Sequence, residues 1–494
     1  MGAVGVDQVA CALATALPTI APSADDARLQ RAVSRLERLH PGFSARSGLW
    51  PRQSVLLCAL LLLALSAFVL APALVMLAMN ILLALAFALL LAPRVLAIGY
   101  LLTRSTAETE PVSSDDASLP VYTILVALHD EAAVVPELVR ALSALDYPAA
   151  KLDVIFALES HDRVTRGALE VLGLPAHMRL AIVPVGEPRT KPRALCYAMT
   201  LARGDFVVVY DAEDEPAPDQ LRLALAAFDA GGGGIGCVQA RLAIHNGMEG
   251  WFPAQFAIEY AVLFGAVLPA LAARGLPVPL GGTSNHFPRH VLESVGGWDP
   301  FNVTEDADLG LRLARLGWRV AVIASATLEE APPNWRVWFA QRVRWQKGWL
   351  QTYFVHMREP VRAWRELGPA SWIGFQIVLF GGLLSAFAHP WFYLWLIWNL
   401  APGASIPLAG WSIATWLWWI ALANLAAAYL ATIVLALMTL ATGDRRHFLV
   451  PLLLAPLYWV PVSIAAYWAV GQLIRRPTYW AKTPHRPRSP PVQP

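Results

Sequence analysis

Apolar positions follow two regimes along the chain. Residues 54–92 carry no charge, and about 40 apolar residues are enough for two membrane-crossing helices of roughly 20, with a turn near Pro72. A second uncharged block runs over 372–400, 411–440 and 448–474, divided at Pro402-Gly403 and at the basic loop Asp444-Arg445-Arg446-His447. Its first run is expected to be a hairpin broken near Gly381-Gly382 and Pro390, which gives four helices and returns the basic tail, Arg475 to Arg488, to its starting side. A three-helix alternative would leave that tail on the far side. Between the blocks the period changes. Short apolar runs at 121–128, 152–158, 180–184 and 206–210 alternate with helical lengths at 131–145, 164–172 and 192–202. Alternating strands and helices predict an α/β domain on a parallel sheet.

Composition agrees with a membrane protein. The chain is 56% hydrophobic and 15% charged over 494 residues, too apolar for an ordinary soluble enzyme. Arg28, Arg31, Arg35, Arg38, Arg46 and Arg52 precede the first hairpin, and Arg94 and Arg104 follow it. Positive flanks place both hairpin ends in the cytoplasm. The expected organisation is a cytosolic tail (1–53), a transmembrane hairpin (54–102), a cytosolic domain (103–335), amphipathic interface helices (336–370), transmembrane helices (371–474) and a basic cytosolic tail (475–494). The plasma membrane of a bacterium is the expected location. The apolar stretch before Arg28 is short, lacks a basic leading region and is interrupted by Pro18 and Pro22, unlike a secretory signal. The Arg-rich helical stretch at 29–39 reads equally as a partner surface or a solvated face. A net charge of +2 creates no field for nucleic acid. Cys11, Cys58, Cys196 and Cys237 lack zinc-binding spacing and are expected to be reduced. Trp391, Trp395, Trp398, Trp411, Trp416, Trp418 and Trp419 fit an interfacial belt better than sugar-stacking platforms.

Chemistry collects where the strands end. The first ends in His129-Asp130-Glu131, the second in Glu159-Ser160-His161-Asp162 and the fourth in Asp211-Ala212-Glu213-Asp214. Ligands of open α/β sheets bind at those ends. Three carboxylates leaving one buried strand repel each other, and a divalent cation, Mg2+ or Mn2+, relieves that repulsion while bridging to phosphates. The plainer alternative is a solvated acidic turn before Pro216 and Pro218. Thr304-Glu305-Asp306 opens a helical pattern, where carboxylates also favour the helix dipole. Gln341, Arg344 and Trp345 stand at i, i+3 and i+4, one face of a helix. The aromatic stripe through Trp338, Trp345, Trp349, Tyr353 and Met357 predicts that this helix lies on the membrane surface.

In this order the motifs resemble the family 2 glycosyltransferases, especially the processive membrane-embedded branch that includes bacterial cellulose synthase. The resemblance covers most of 119–355 and implies a GT-A-like domain. It gives His129, Asp130, Glu131, Glu159, Lys191 and Asp211 to the donor, with Glu159 where the family's base-contacting Asp stands. Lys191, in Thr190-Lys191-Pro192-Arg193, falls near the diphosphate. Asp211 and Glu213 become metal ligands, Glu213 standing where the family has Asp. Asp306, with Glu305, is implied as catalytic base, and Gly282, Thr283, Gln341, Arg344 and Trp345 as acceptor and diphosphate contacts. Gln341-x-x-Arg344-Trp345 marks polymer-extending synthases.

The resemblance therefore implies an inverting transferase, with UDP-glucose the first-choice donor, that extends a β-linked polysaccharide and exports it through its own helices. GDP-mannose or UDP-N-acetylglucosamine would leave the same motifs. Single-sugar transfer to a polyprenyl phosphate, or a non-catalytic transporter or receptor, are the alternatives. The implied partners are the nucleotide sugar, a polysaccharide acceptor, the bilayer, and accessory export or regulatory subunits, since too few residues follow the last span for a cyclic di-GMP module. His286 is expected to be a core or loop histidine, and the glycines at 231–234 a turn.

Overall fold

The computed structural model describes residues 24–104, 115–400, 412–441 and 445–485. Cys11, Pro18, Pro22, the Pro402-Gly403 loop, Trp411, Asp444 and the tail beyond His485 lie outside them. The helices and strands used below are α1 (Ala24–Val33), α2 (Pro51–Leu70), α3 (Pro72–Leu89), α4 (Ala92–Thr103), β1 (Tyr122–Leu128), α5 (Val135–Ser143), β2 (Leu152–Glu159), α6 (Arg163–Leu172), β3 (Met178–Val183), α7 (Lys191–Met199), β4 (Phe206–Tyr210), β5 (Glu215–Pro216), α8 (Gln220–Ala230) and β6 (Ile235–Ile244). They continue as α9 (Trp251–Ala273), β7 (Asn285–Pro288), α10 (Glu305–Arg315), β8 (Arg319–Glu329), α11 (Trp335–His356), α12 (Pro360–Trp398), α13 (Ile413–Thr439) and α14 (Ala455–Arg475).

One eight-stranded sheet runs β3-β2-β1-β4-β7-β6-β8-β5. Its first four strands are parallel, as their spacing predicts, with Ile124 opposite both Val154 and Val208. The expectation of a wholly parallel sheet needs correction. β7 runs antiparallel to β4 and β6, because the chain arriving from α9 enters it beside the carboxyl end of β4, where the Ser284 amide donates to Val209 O. The four apolar runs are buried on both faces. Leu125, Ile155 and Val209 pack with α7, while Ile124, Val126, Val154 and Val208 pack with Leu138, Leu142, Leu169 and Leu221 on the other side. His286 lies in β7, fully buried, with Nδ1 2.8 Å from the Tyr122 hydroxyl. Burial holds its pKa down at about 3, so it is a neutral core residue. The 231–234 glycines turn the chain from α8 into β6, Gly232 and Gly233 at positive φ.

The N-terminal stretch expected to be a free cytosolic tail is part of the domain from Ala24 onward. Leu29, Ala32, Val33 and Leu36 are buried, and the segment after them is fastened by Arg358, which donates to the carbonyls of Gly42, Ser44 and Gly48 and to the Ser47 hydroxyl.

Six helical stretches among the described residues are long and apolar enough to cross a membrane: α2, Pro72–Thr103, α9, α12, α13 and α14. The expected turn near Gly381-Gly382 and Pro390 is absent. α12 continues through these residues after a π-type segment at Gln376–Phe380. A Cβ on Gly381 would lie 2.4 Å from Leu90 Cδ2, so this glycine admits a neighbouring helix rather than breaking its own. Three long helices thus stand where four were expected, and α14 behaves differently from the others. At its start, Gln255 donates to Pro451 O and Tyr458 to Glu259. At its end, Lys347 donates to Arg476 O and Gln351 to Pro477 O. Between these ends α14 packs along α12, where Trp391 donates to the Tyr467 hydroxyl and Tyr393 to Pro456 O, and the described part of the basic tail lies against the domain.

Candidate active site

A cleft of about 840 Å³ opens at the carboxyl ends of β1, β2 and β4 and is closed on one side by α11. Its lining brings together His129, Glu131, Glu159, Lys191, Asp211, Glu213, Gln341 and Arg344. Lys191 is the hub. It opens α7, and its Nζ donates to the Asp211 carboxylate and, at 2.8 Å, to Gly282 O. Burial opposes its charge, but Asp211 and Glu305 outweigh burial and raise its pKa. It is a fixed cation at the wall of the cleft.

The acids at 211–214 divide by role. Asp214 is buried, and its Oδ2 accepts from the Asp211 amide at 2.6 Å and from the Thr283 hydroxyl. It braces the turn. Thr283, expected at the acceptor, is 1% exposed and serves that brace; it does not line the cleft. Burial, then the neighbouring Asp211 and Glu131, against the opposing charge of His485, push Glu213 up to about 7. Glu213 Oε2 and Asp214 Oδ1 are buried oxygens without a hydrogen bond. Unsatisfied buried carboxylate oxygens beside Asp211 are the donor set a hard divalent cation takes, so Asp211 and Glu213 fit Mg2+ or Mn2+. His129, Asp130 and Asp162 also lie within 4.8 Å of one another. There both Asp162 oxygens are engaged by the amides of Asp130 and Thr165, which makes the group a helix cap. Asp130 is correspondingly turned outward, its side chain 67% exposed.

Glu305 and Asp306 start α10. Burial and the adjacent Asp306 raise Glu305 to about 8, Lys191 opposing, and burial raises Asp306 as well. A Cβ on Gly282 would fall 3.3 Å from Asp306 Oδ2 and 3.9 Å from Lys191 Nζ. The absence of a side chain at Gly282 therefore keeps open the gap between Asp306 and Lys191. Arg344 faces the same acids: burial lowers its pKa, while Glu305, Asp306 and Asp211 counteract. α10 is locked from behind, where Asp308 bonds Arg312 at 2.5 Å and His356 at 3.0 Å, all three fully buried.

The aromatic stripe of α11, expected on a membrane surface, is packed against other helices of the protein. Trp338 is fully buried and donates to the Tyr458 hydroxyl, and Lys347 is fully buried against Arg476 and Tyr479. The stripe is covered by α14 at Trp338, by α9 at Trp345 and by α12 at Trp349, Tyr353 and Met357, neighbours that helical periodicity cannot reveal. Gln341 and Arg344 point into the cleft. Trp345 instead stacks on Tyr260 and Phe256, with the Arg342 guanidinium 4.8 Å above its ring.

Two sets of site residues were not singled out from sequence. Arg193, 1% exposed, donates bidentately to Glu159 and also to the carbonyls of Pro184 and Gly186. Its presence in the lysine-containing motif was the available signal. The second set is the tail. Arg475 to Thr483 and His485 contribute much of the cleft wall, with Lys482 3.3 Å from Glu131 and His485 3.1 Å from Glu213.

A family model described as glycosyltransferase like family 2 matches residues 120–348. The β-monoglucosyldiacylglycerol synthase of Synechocystis sp. is 28% identical over 297 residues, 59% of this chain and 60% of that protein. A glucomannan 4-β-mannosyltransferase assigned as probable in Arabidopsis thaliana is 25% identical over 251 residues, 49% of this chain and 45% of that one. Among solved structures, the mannosyltransferase PcManGT from Pyrobaculum calidifontis, in complex with GDP-Man and Mn2+, aligns with 79% of this chain and 98% of its own at 22% identity and a TM-score of 0.48. The chain spans about half to three fifths of the length of the curated relatives it matches.

Proposed function

We propose, from the premise that residues 120–348 are a family 2 glycosyltransferase domain on a GT-A-like mixed sheet flanked by long apolar helices, that the chain transfers a hexosyl group from a nucleotide diphosphate sugar to an acceptor hydroxyl with inversion. The observation that carries this reading is the place of Lys191 between two groups: Asp211, Glu213 and Arg344, which line the cleft with it, and Gly282 and Asp306, which lie beside it just behind the cleft lining. Asp306 accepts the proton of the acceptor hydroxyl as that oxygen attacks the anomeric carbon from the face opposite the diphosphate. Lys191 and Arg344 stabilise the negative charge that develops on the departing diphosphate, in a site already organised for it. Asp211 and Glu213 would hold a divalent cation, whose charge would further neutralise the same leaving group. The Glu159–Arg193 pair fixes the far end of the cleft, where the nucleoside fits.

For the acceptor, Trp345 is the residue to weigh. Its ring packs against Tyr260 and Phe256 with the Arg342 guanidinium 4.8 Å from its centre, contacts that compete with stacking on the terminal sugar of a polymer. Its surroundings belong to α9, an apolar helix with a mean hydropathy of 1.9. We therefore place a lipid-borne hydroxyl first as acceptor, with UDP-glucose the first donor to try and GDP-mannose the second. Extension of a β-linked polysaccharide is the second reading, carried by Gln341-x-x-Arg344-Trp345. Four crossings, α2, α3, α12 and α13, keep both described ends and the cleft on the cytosolic side.

Protein reconstituted in lipid, given each labelled donor with Mn2+, separates these readings. Label in a chloroform-soluble product bearing one sugar supports the lipid acceptor. Label in a long water-insoluble or size-excluded product overturns that acceptor in favour of polymer extension. Release of no sugar from either donor contradicts the transferase reading itself.

A further inference from the structure

The tail that follows α14 crosses the mouth of the cleft and is held in two unlike ways. Its root is hydrogen-bonded to α11: Lys347, fully buried, donates to Tyr479 O at 2.7 Å and to Arg476 O at 3.3 Å, and Gln351 donates to Pro477 O at 3.1 Å. The Arg344 guanidinium lies 4.3 Å from the centre of the Trp480 ring. Its tip is held mainly by charge. Lys482 donates to Asp130 O at 2.6 Å and stands 3.3 Å from Glu131. His485 Nδ1 lies between two acids on different strand ends, 3.2 Å from Glu131 and 3.1 Å from Glu213. Neither His485 Nδ1 nor Glu213 Oε2 has a partner at a hydrogen-bonding angle, so this contact is held by charge alone, and another positive charge can take its place.

We propose that this strap is an exchangeable counter-charge: Lys482 and His485 neutralise Glu131 and Glu213 when the site is empty, and the tip gives way when a divalent cation enters with the donor diphosphate. The proposal rests on the reading of Asp211 and Glu213 as the cation ligands. Its physical basis is that Glu131, Asp211 and Glu213 converge in one partly buried place, and carboxylates there must find compensating positive charge. The tip supplies it now; a cation would supply it in the loaded site. Both cannot use the same face of Glu213, because His485 Nδ1 stands 3.1 Å from Oε2, where a ligated ion would sit. The root keeps its bonds to Lys347 and Gln351, so only the segment beyond Trp480 has to move. Two consequences follow. The free protein binds cation poorly, and cation and nucleotide bind together. A strap that lets go only for the pair keeps the acids from collecting cations that have no donor to serve.

The test compares the full-length protein in lipid nanodiscs with its Lys482→Ala/His485→Ala variant. Titration calorimetry with Mn2+ alone is expected to show affinity at least tenfold tighter in the variant. Limited trypsin digestion of the wild type should cut at Lys482 faster when UDP or GDP is present with Mn2+ than with either alone. If nucleotide binding in the wild type requires Mn2+ but the variant's affinity for Mn2+ alone is unchanged, the strap proposal is overturned and the cation site stands. If cleavage at Lys482 is insensitive to the nucleotide–Mn2+ pair, the proposal is overturned as well. If neither protein binds UDP or GDP with Mn2+, both the strap and the site assignment it rests on fall.

Discussion

Asp306 and Glu305 share the start of α10, and burial keeps the pair's protons on to higher pH than free carboxyls hold them. A base works only when deprotonated, so transfer at saturating donor should rise with pH as the pair ionises, up to the region of about 8 reached by Glu305. Asp306→Asn should lower transfer by about 10²-fold or more while nucleotide binding survives, and should abolish that rising limb; a retained limb would assign it to another group. The same shift has a stability sign. Between the ordinary 4.5 and about 8 the folded chain holds a proton on Glu305 that the unfolded chain releases, so stability falls as pH rises through that window. Glu305→Gln should flatten this fall in unfolding midpoints measured across it. At the cation site, Asp211→Ala should weaken Mn2+-dependent UDP or GDP binding by at least about tenfold, since it removes one of the carboxylates that bridge ion and phosphate. Unchanged affinity would remove Asp211 from that role. The acids themselves were legible in the sequence, because each follows a short apolar run at its carboxyl end. The brace role of Asp214 was not, because Asp211, Glu213 and Asp214 are alike in type and only the fold turns one of them toward Thr283.

At the scale of elements, close approach between α11 and the loop before α10 sets the geometry of the base. A Cβ on Gly348 would meet Thr304 Oγ1 at 2.4 Å and the Thr304 amide nitrogen at 2.7 Å, distances that force backbone apart. Gly348→Ala should therefore push α10 away from Lys191 and cut transfer more than it weakens nucleotide binding, since misplacement by about 1 Å can cost 10²-fold in rate. Equal losses in both would argue against a positioning role. Strands β1 to β4 and helices α6 and α7 fall close to where periodicity predicts them. α11 was legible as a helix, with Gln341 and Arg344 on the cleft face, yet its partner was not. A stripe containing Trp338 and Trp345 suits a membrane surface as well as it suits α9, α12 and α14, which cover it, and the sequence contains nothing that chooses. α12 shows the converse case. Gly381 and Pro390 look like breakers, but Gly381 serves close contact with Leu90.

Across the whole molecule, the parts of the site are drawn from distant stretches of chain: strand ends near 130 and 211, the α10 start at 305, α11 near 344 and the tail at 482–485. Residues 120–348 carry recognisable motifs. The tail was read only as a basic end, because more than 100 residues of mostly apolar helix separate it from α11 in sequence. Its return implies an even number of crossings. A single cysteine introduced at Thr483 should react with an impermeant maleimide from the same side as one at Val171, which is 89% exposed on the domain. Labelling from opposite sides would contradict four crossings. The central claim is hexosyl transfer at the cleft around Gly282, and one measurement meets it directly: label from UDP-[14C]glucose or GDP-[14C]mannose moving to acceptor in Mn2+-containing proteoliposomes, wild type against Asp306→Asn. The account predicts a glycosylated product with the wild type and none above background with the variant, while both proteins retain Mn2+-dependent nucleotide binding. Equal product from the two proteins would contradict it.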